Sequence, residues 1–237
     1  MLHPNEKRVL DAALRQAEVL GTGDTHTVAA AVMDTRGRVL TGVNVHHFTG
    51  GPCAELVALG AAAAQGAGPL VTIAAVGDSG RGVLAPCGRC RQVLLDLHPD
   101  CFVVMPGDAE PDCVPIRKLL PGAYRYADAR PERFLRFNPA YFERVRDGIK
   151  TQTVRVDDPA EVGPAWFVFE FDDGYRRLAA VIDQVTTKRL DYLGDDDARR
   201  EGASSIDALR AALRGHYPSV DDDAEVTEVR FHVTGDT

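Results

Sequence analysis

Three cysteines and one glutamate carry the most legible chemistry in this chain. Cys53 and Glu55 sit in Pro52-Cys53-Ala54-Glu55, and 34 residues beyond Cys53 come Cys87 and Cys90 in Pro86-Cys87-Gly88-Arg89-Cys90. Three thiolates and one carboxylate suit an open zinc centre with a proton shuttle. Three protein ligands leave the fourth tetrahedral position to a water, and the metal brings that water's pKa towards neutrality. A fourth cysteine ligand would close the site. Three thiolates leave Zn²⁺ with a formal charge of about −1, which blunts its acidity; Arg89 and Arg91 beside the ligands can withdraw some of that density.

The elements around these residues predict how they meet. Ala54–Gln65 reads as an Ala/Leu-rich helix and Cys87–Leu97 as a second one, so Cys53 and Cys87 each stand at a helix start. Helix N-termini offer free N–H groups and a positive dipole end, both of which stabilise thiolate. Glu55, two residues into its helix, projects near the same place. Apolar spacing predicts a first helix over Glu6–Leu20, and Val28–Asp34 and Val39–Val45 read as a hairpin around Thr35-Arg36-Gly37. Val71–Val76 and Phe102–Met105 read as strands, and Ile116–Leu120 as a short helix. The order αββαβαβ implies an α/β domain, a three-layer αβα arrangement around a mixed sheet.

Beyond Tyr124 the pattern changes. Residues 127–138, with Ala127-Asp128-Ala129-Arg130-Pro131, read as a linker between a domain over 1–126 and another over 139–237. In the second, Pro139–Gly148 reads as a helix and Lys150–Val156, Trp166–Phe171 and Leu178–Val185 as strands. Ser205–Gly215 then reads as a helix and Glu225–Val233 as a strand. This suggests a small, barrel-like α+β domain. Trp166 is assigned to its core, and Phe134, Phe137, Tyr141 and Phe142, at helical spacing, to a linker helix packed on that core. The runs Asp195-Asp196-Asp197 and Asp221-Asp222-Asp223 lack the alternating spacing of a calcium loop and read as solvated loops.

Composition narrows the function classes. Residues 1–130 carry 12 Lys+Arg against 13 Asp+Glu, and residues 131–237 carry 15 against 22. Long nucleic acid usually meets a basic surface, and neither half carries a basic surplus; a small substrate fits better. No apolar run reaches the roughly 20 residues of a membrane span. Five cysteines, three of them in the C-x-E…C-x-x-C pattern, favour a reducing compartment, hence the cytoplasm. Cys101 and Cys113 are read as packing residues, with a surface disulfide between them as the alternative. The histidines His26, His47, His98, His216 and His232 are scattered and read as surface or capping residues.

The metal motif, with Phe48-Thr49-Gly50-Gly51 before Pro52 and Arg91-Gln92-Val93-Leu94-Leu95-Asp96-Leu97-His98-Pro99 after Cys90, resembles the cytidine deaminase superfamily, and within it the blasticidin-S deaminases. The resemblance spans nearly all of residues 1–126. It implies Cys53, Cys87 and Cys90 as zinc ligands, Glu55 as the proton shuttle, and a homotetramer with one zinc per subunit. It also implies substrate contacts at Thr27, Asn44, Arg81, Arg89 and Tyr124. General cytidine deaminases carry Asn-x-Glu where this chain has Asn44-Val45-His46, so the carboxylate that grips a ribose hydroxyl is absent. That departure points away from plain cytidine and towards an antibiotic-type nucleoside, with resistance as the biological consequence.

Residues 133–237 resemble ASCH (PUA-like) domains through Gly148-Ile149-Lys150-Thr151-Gln152-Thr153-Val154-Arg155, Gly163, Glu201-Gly202, Leu209 and Tyr217-Pro218. Some members hydrolyse N4-acylcytidines, which implies Lys150 as base, Thr153 as nucleophile and Glu201 as proton donor. A threonine hydroxyl is a poor nucleophile until an adjacent amine accepts its proton. The two halves together imply removal of an N4-acyl group followed by deamination. The other reading kept open is a cytidine or deoxycytidine salvage deaminase whose second domain binds RNA or a nucleotide without turnover.

Overall fold

The fold is described here from a computed structural model covering residues 2–21 and 23–236, without the side chain of Asp236. The chain forms two compact units, Met1–Phe134 with Glu170–Arg176, and Leu135–Phe169 with Arg177–Thr237.

The first unit contains α1 (Pro4–Glu18), β1 (Val28–Asp34), β2 (Val39–Val43), α2 (Ala54–Ala64), β3 (Leu70–Gly77), β4 (Gly82–Val83), α3 (Gly88–Leu97), β5 (Phe102–Met105) and β6 (Asp112–Pro115). A short 3-10 turn, Ile116–Lys118, replaces the longer helix expected there. Helix α1 starts earlier than its apolar periodicity shows. Pro4 opens it, the Glu6 carboxylate accepts from His3 N at 2.8 Å, and His3 Nδ1 accepts from Asn5 N at 3.3 Å, a capping box.

The strands run in the order β2-β1-β3-β5-β6, with β4 added on β3. Only β3 and β5 pair in parallel among the pairs described here, so the sheet is mixed. Every residue of β3 is buried, as expected for a central strand covered on both faces. Alternate residues face two separate cores: Ala30, Val32, Ile73 and Ala75 pack with Ala58 and Leu59 of α2 and Leu94 of α3, whereas Ala29, Ala31, Ala74 and Val76 pack with Val9 and Ala13 of α1. Helices therefore cover both faces, as the sequence predicted. Cys101 is buried and Cys113 half-buried; both are thiols, and no disulfide joins them.

The second unit holds most of β7 (Arg133–Phe137), β9 (Gly163–Phe171) and β10 (Gly174–Arg189), and all of α4 (Phe142–Arg146), β8 (Gln152–Arg155), α5 (Asp195–Glu201), α6 (Ile206–His216) and β11 (Glu225–Asp236). Its sheet runs β7-β9-β10-β11-β8, and no pairing among the described residues closes β7 onto β8. The strands thus stop short of a closed barrel. Strand β10 spans 16 residues, about twice the expected length, because its polar end Gln184–Arg189 continues the ladder with β11.

Four local expectations change. Arg133–Phe137, read as linker, is a strand: its polar neighbours disguised the apolar Phe134, Leu135 and Phe137. Phe134 and Phe137 accordingly lie on a strand, not a helix, and Phe137 packs against Phe167 and Phe169 at ring separations of 4.9 and 5.3 Å. Trp166 is half-buried under the Arg177 guanidinium, 3.9 Å from its ring, and the core positions of β9 are Phe167, Val168 and Phe169. Asp195-Asp196-Asp197 forms the first turn of α5, where carboxylates meet the positive end of the helix. Asp197 is buried, accepts from Gly194 N at 2.9 Å and pairs with Lys188 Nζ at 3.0 Å.

Candidate functional sites

Cys53 is the N-cap of α2 and Cys87 the N-cap of α3, both in extended backbone with no side-chain cap bond. The thiols are thus left to converge rather than to cap. Glycine makes the approach possible: a Cβ on Gly42 of β2 would strike the α2 backbone at Val57 and Ala58, so only glycine lets α2 lie this close to the sheet. Gly51 likewise packs its backbone on the Val45 carbonyl, while Val45 N donates to Pro52 O at 3.1 Å, clasping the end of β2 to the residue before Cys53.

Cys53 Sγ and Cys87 Sγ are 3.7 Å apart, Cys87 Sγ and Cys90 Sγ 3.6 Å, and all three sulfurs lie within 4.8 Å of one another. A tetrahedral zinc with Zn–S of about 2.3 Å separates its sulfurs by about 3.8 Å. The donor set and spacing fit zinc. Burial pushes the Cys53 and Cys90 thiols up, with the charge of Glu55 adding to the shift. Burial acts the same way on Cys87, but backbone N–H groups of Cys90 and Arg89 and the two neighbouring thiols outweigh it and bring Cys87 down. Loading a metal therefore means removing protons from a crowded cluster in which burial holds two of the three thiols up.

Cys53, Glu55 and Cys87 line a cavity of about 530 Å³ with Asn44, His46, His47 and Phe48. Cys90 is wholly buried, Glu55 is 6% exposed, and Cys87 faces the opening. Of the substrate contacts implied by resemblance, Asn44 alone lines this cavity. Its Oδ1 accepts from Thr27 N and Val28 N at 2.7 and 2.8 Å, which latches the end of β2 to the start of β1. Thr27 Oγ1 lies 3.4 Å from Asn44 Nδ2. Arg81 pairs with Asp78 and donates to Thr27 O, and Arg89 and Tyr124 are exposed outside the lining. Arg91, expected to tune the sulfurs, instead donates to the carbonyls of Pro86 and Leu119 at 2.8 and 2.9 Å and so braces the loop that carries Cys87.

In the second unit Lys150, Thr153 and Glu201 line one cavity of about 620 Å³. All three are buried, at 2%, 7% and 8% exposure. Lys150 is delivered by a turn at Gly148, whose φ of 68° suits glycine, and Lys150 N and Ile149 N both donate to Arg144 O at 2.9 Å. Glu201 closes α5, with Gly202 in the left-handed region behind it at φ 72°. The Glu201 carboxylate accepts from Val154 N and from Lys150 Nζ, so α5 and β8 are joined at the site itself. Burial brings the Lys150 ammonium down to about 7, with the charges of Arg155 and Arg144 adding to the shift.

Sequence reasoning passed over Tyr141 and His216 as site residues. The Tyr141 ring lies 4.9 Å from Lys150 Nζ, and its hydroxyl is 3.3 Å from His216 Nε2 at the cavity mouth. The i, i+4 spacing of Ala208, Ala212 and His216 on α6 was the available signal.

The family model for the cytidine and deoxycytidylate deaminase zinc-binding region matches residues 4–105, a span holding all three cysteines and Glu55. A blasticidin-S deaminase of Bacillus cereus is 30% identical over 125 residues, 49% of this chain and 89% of that protein. A cytidine deaminase of Halalkalibacterium halodurans is 38% identical over 105 residues, 43% of this chain and 79% of that protein. An ASCH domain from Lactobacillus crispatus is similar over 43% of this chain and 79% of its own, at 14% identity and a TM-score of 0.38. Through its first unit and the thiol cluster that fits zinc, this chain belongs to the cytidine deaminase family.

Proposed function

We propose that the protein deaminates the cytosine of a small nucleoside at the Cys53/Cys87/Cys90 centre and removes N4-acyl groups at the Lys150/Thr153/Glu201 site. The observation that carries the first part is the meeting of three Sγ atoms and a buried Glu55 at one cavity. Cys53, Cys87 and Cys90 would hold zinc, which when bound would supply the Lewis acidity that lowers the pKa of a water. Glu55 takes that water's proton and passes it to the ring nitrogen beside C4 as the water oxygen adds to C4. The second proton travels through Glu55 to the amino nitrogen; the C4–N bond breaks, leaving ammonia and the uracil carbonyl. Such proton transfer contributes roughly 10²–10⁴-fold.

The acyl-removal step is supported by Lys150, Thr153 and Glu201, all three buried, lining one cavity. The Lys150 amine accepts the Thr153 hydroxyl proton as Oγ1 bonds to the acyl carbon. That proton reaches the departing nitrogen through Glu201, which already touches Lys150. The amide C–N bond breaks, and water then hydrolyses the threonine ester. An acylated cytosine lacks a free 4-amino group, so removal precedes deamination.

His46 in the metal-site lining, where a ribose-gripping carboxylate would stand, supports an antibiotic-type nucleoside as substrate. The 38% identity to a cytidine deaminase, against 30% to a blasticidin-S deaminase, favours a second reading: cytidine or deoxycytidine salvage. Phe48, 92% exposed, and Leu97 and Tyr124, also exposed, suit assembly of the first unit into the homotetramer implied by the resemblance. No described helix is long and apolar enough to cross a membrane. Mass spectrometry of the purified chain with zinc against cytidine, deoxycytidine, blasticidin S and N4-acetylcytidine decides among these. Loss of ammonia chiefly from blasticidin S is expected, with acetate released from the acylated compound. Turnover of cytidine alone would leave the salvage reading.

A further inference from the structure

We infer that Asp197, gripped by Lys188, is a positioning residue: it fixes α5 on the sheet so that Glu201 meets Lys150. The inference rests on the acyl-removing reading of Lys150, Thr153 and Glu201.

Helix α5 has seven residues, far short of the roughly 12–15 at which a helix begins to hold by itself in water. Its place is therefore set by what it packs against. Its buried residues are Asp197, Ala198 and Glu201. Ala198 joins the apolar cluster of Val154, Leu190 and Leu209, but a methyl group offers little area and no direction. The other two are carboxylates four residues apart, on one face of the helix and one turn from each other. The sheet meets that face with matching donors. Gln152 and Val154 stand two apart on β8 and so share one of its faces. Val154 N donates to Glu201, and Gln152 Nε2 donates to Asp197 at 3.4 Å.

Lys188 supplies the rest of the grip. Its Nζ, at the end of β10, lies 3.0 and 3.1 Å from the two Asp197 oxygens and also pairs with Glu228 of β11. Arg230 Nε donates to the other Glu228 oxygen at 2.7 Å. Asp197 and Glu228 are both buried, so two cations balance two buried carboxylates. Burial alone would raise the Asp197 carboxyl, but bonds from Gly194 N, Lys188 and Gln152 outweigh it and bring it down. Buried ion pairs add little net stability, because desolvation offsets their attraction. What this network supplies is direction: bonds from β8 and β10, and through Lys188 from β11, to the first turn of α5. One turn on, the same helix delivers Glu201 to Lys150, and Thr151 N donates to Arg200 O at 2.9 Å beside it. A single turn of helix transmits a shift at Asp197 to Glu201, and about 1 Å of misplacement can cost about 10²-fold in rate.

The experiment follows acetate release from N4-acetylcytidine by the full chain from about pH 5 to about pH 9, for wild type, Asp197→Asn, Lys188→Met and the double variant. Asp197→Asn should lower kcat by roughly 10–10²-fold and leave KM within about twofold. The midpoint of the pH profile, near 7 in wild type, should also move down. The Glu201 carboxylate touching the Lys150 ammonium favours its charged form. With that carboxylate drawn away, burial and the charges of Arg155 and Arg144 act on the amine against only the Tyr141 ring. Lys188→Met should act in the same direction, and the double variant should be no worse than either single, since all three remove one interaction. Asp197→Asn leaves Lys188 paired with Glu228, and the double variant leaves Glu228 paired with Arg230, so neither strands a buried charge. Circular dichroism checks the fold, and either of these two variants decides by itself. Wild-type kcat in a folded variant, or a lowered rate whose midpoint stays at the wild-type value, overturns the inference and leaves the acyl-removing reading intact. If wild type releases no acetate, the reading fails and the inference with it.

Discussion

The two candidate sites solve one problem, holding charged groups close together, by opposite means. In the first unit, three thiols of like tendency gather at two helix starts around a space that fits a dication. Their mutual repulsion when ionised is answered by the metal and by helix N-termini. In the second, an amine and a carboxylate, both nearly inaccessible, answer each other with no metal in the scheme. Charge comes from outside in the first case and is internally balanced in the second. The first site can therefore be emptied by a chelator, whereas the second must be broken by substitution.

The largest effect expected is at Glu55. Glu55→Gln should keep zinc, measured by metal analysis, while deamination falls by roughly 10²–10⁴-fold or more; full activity there would remove Glu55 from the shuttle role. Close behind is Thr153→Ala, which should abolish acid release from N4-acetylcytidine while ammonia release from a free cytosine nucleoside stays at the wild-type rate. Loss of both activities would show that the sites are not separable as drawn.

Lys150 sharpens the contrast further. Its ammonium is brought down to about 7, and a base must be unprotonated to act, so acid release should climb with pH through about 7 and level above it. Below that point the rate should fall about tenfold per pH unit. A flat profile between pH 5 and 8 would rule Lys150 out as the base. The smallest effect concerns packing: Gly42→Ala forces α2 from the sheet and should cost about 1–3 kcal/mol. Calorimetry should place that loss in the transition that also shifts when zinc is chelated.

The metal site was legible because its residues are local signals. Proline, cysteine and glutamate mark one helix start, and Cys87-x-x-Cys90 marks another, so pattern and chemistry coincide. The apolar runs of β1, β3 and β5 were equally plain. What escaped were elements whose sequence is polar on the page and paired in space: β7 hidden beside a proline-containing stretch, and α5 hidden in an aspartate run. Asp197 reads as solvated until the ammonium of Lys188, nine residues earlier on the end of β10, partners it.

Residue type and spacing by themselves determined which atoms are able to hold zinc, which carboxylate follows them onto the helix, and which faces of the strands are buried. They also brought Lys150 and Thr153 together on one short segment. The resemblance named Glu201 as their partner, but spacing alone could not bring it there: the contact closes a loop of about fifty residues and rests on bonds from the backbone N–H groups of Val154 and Thr151 to α5. Only tertiary structure decided that Asn44 latches two strands, that Arg91 braces a loop rather than a sulfur, and that two alanines of α6 face open space. Periodicity fixes which face of an element is apolar; what that face meets depends on the long-range packing of the other elements.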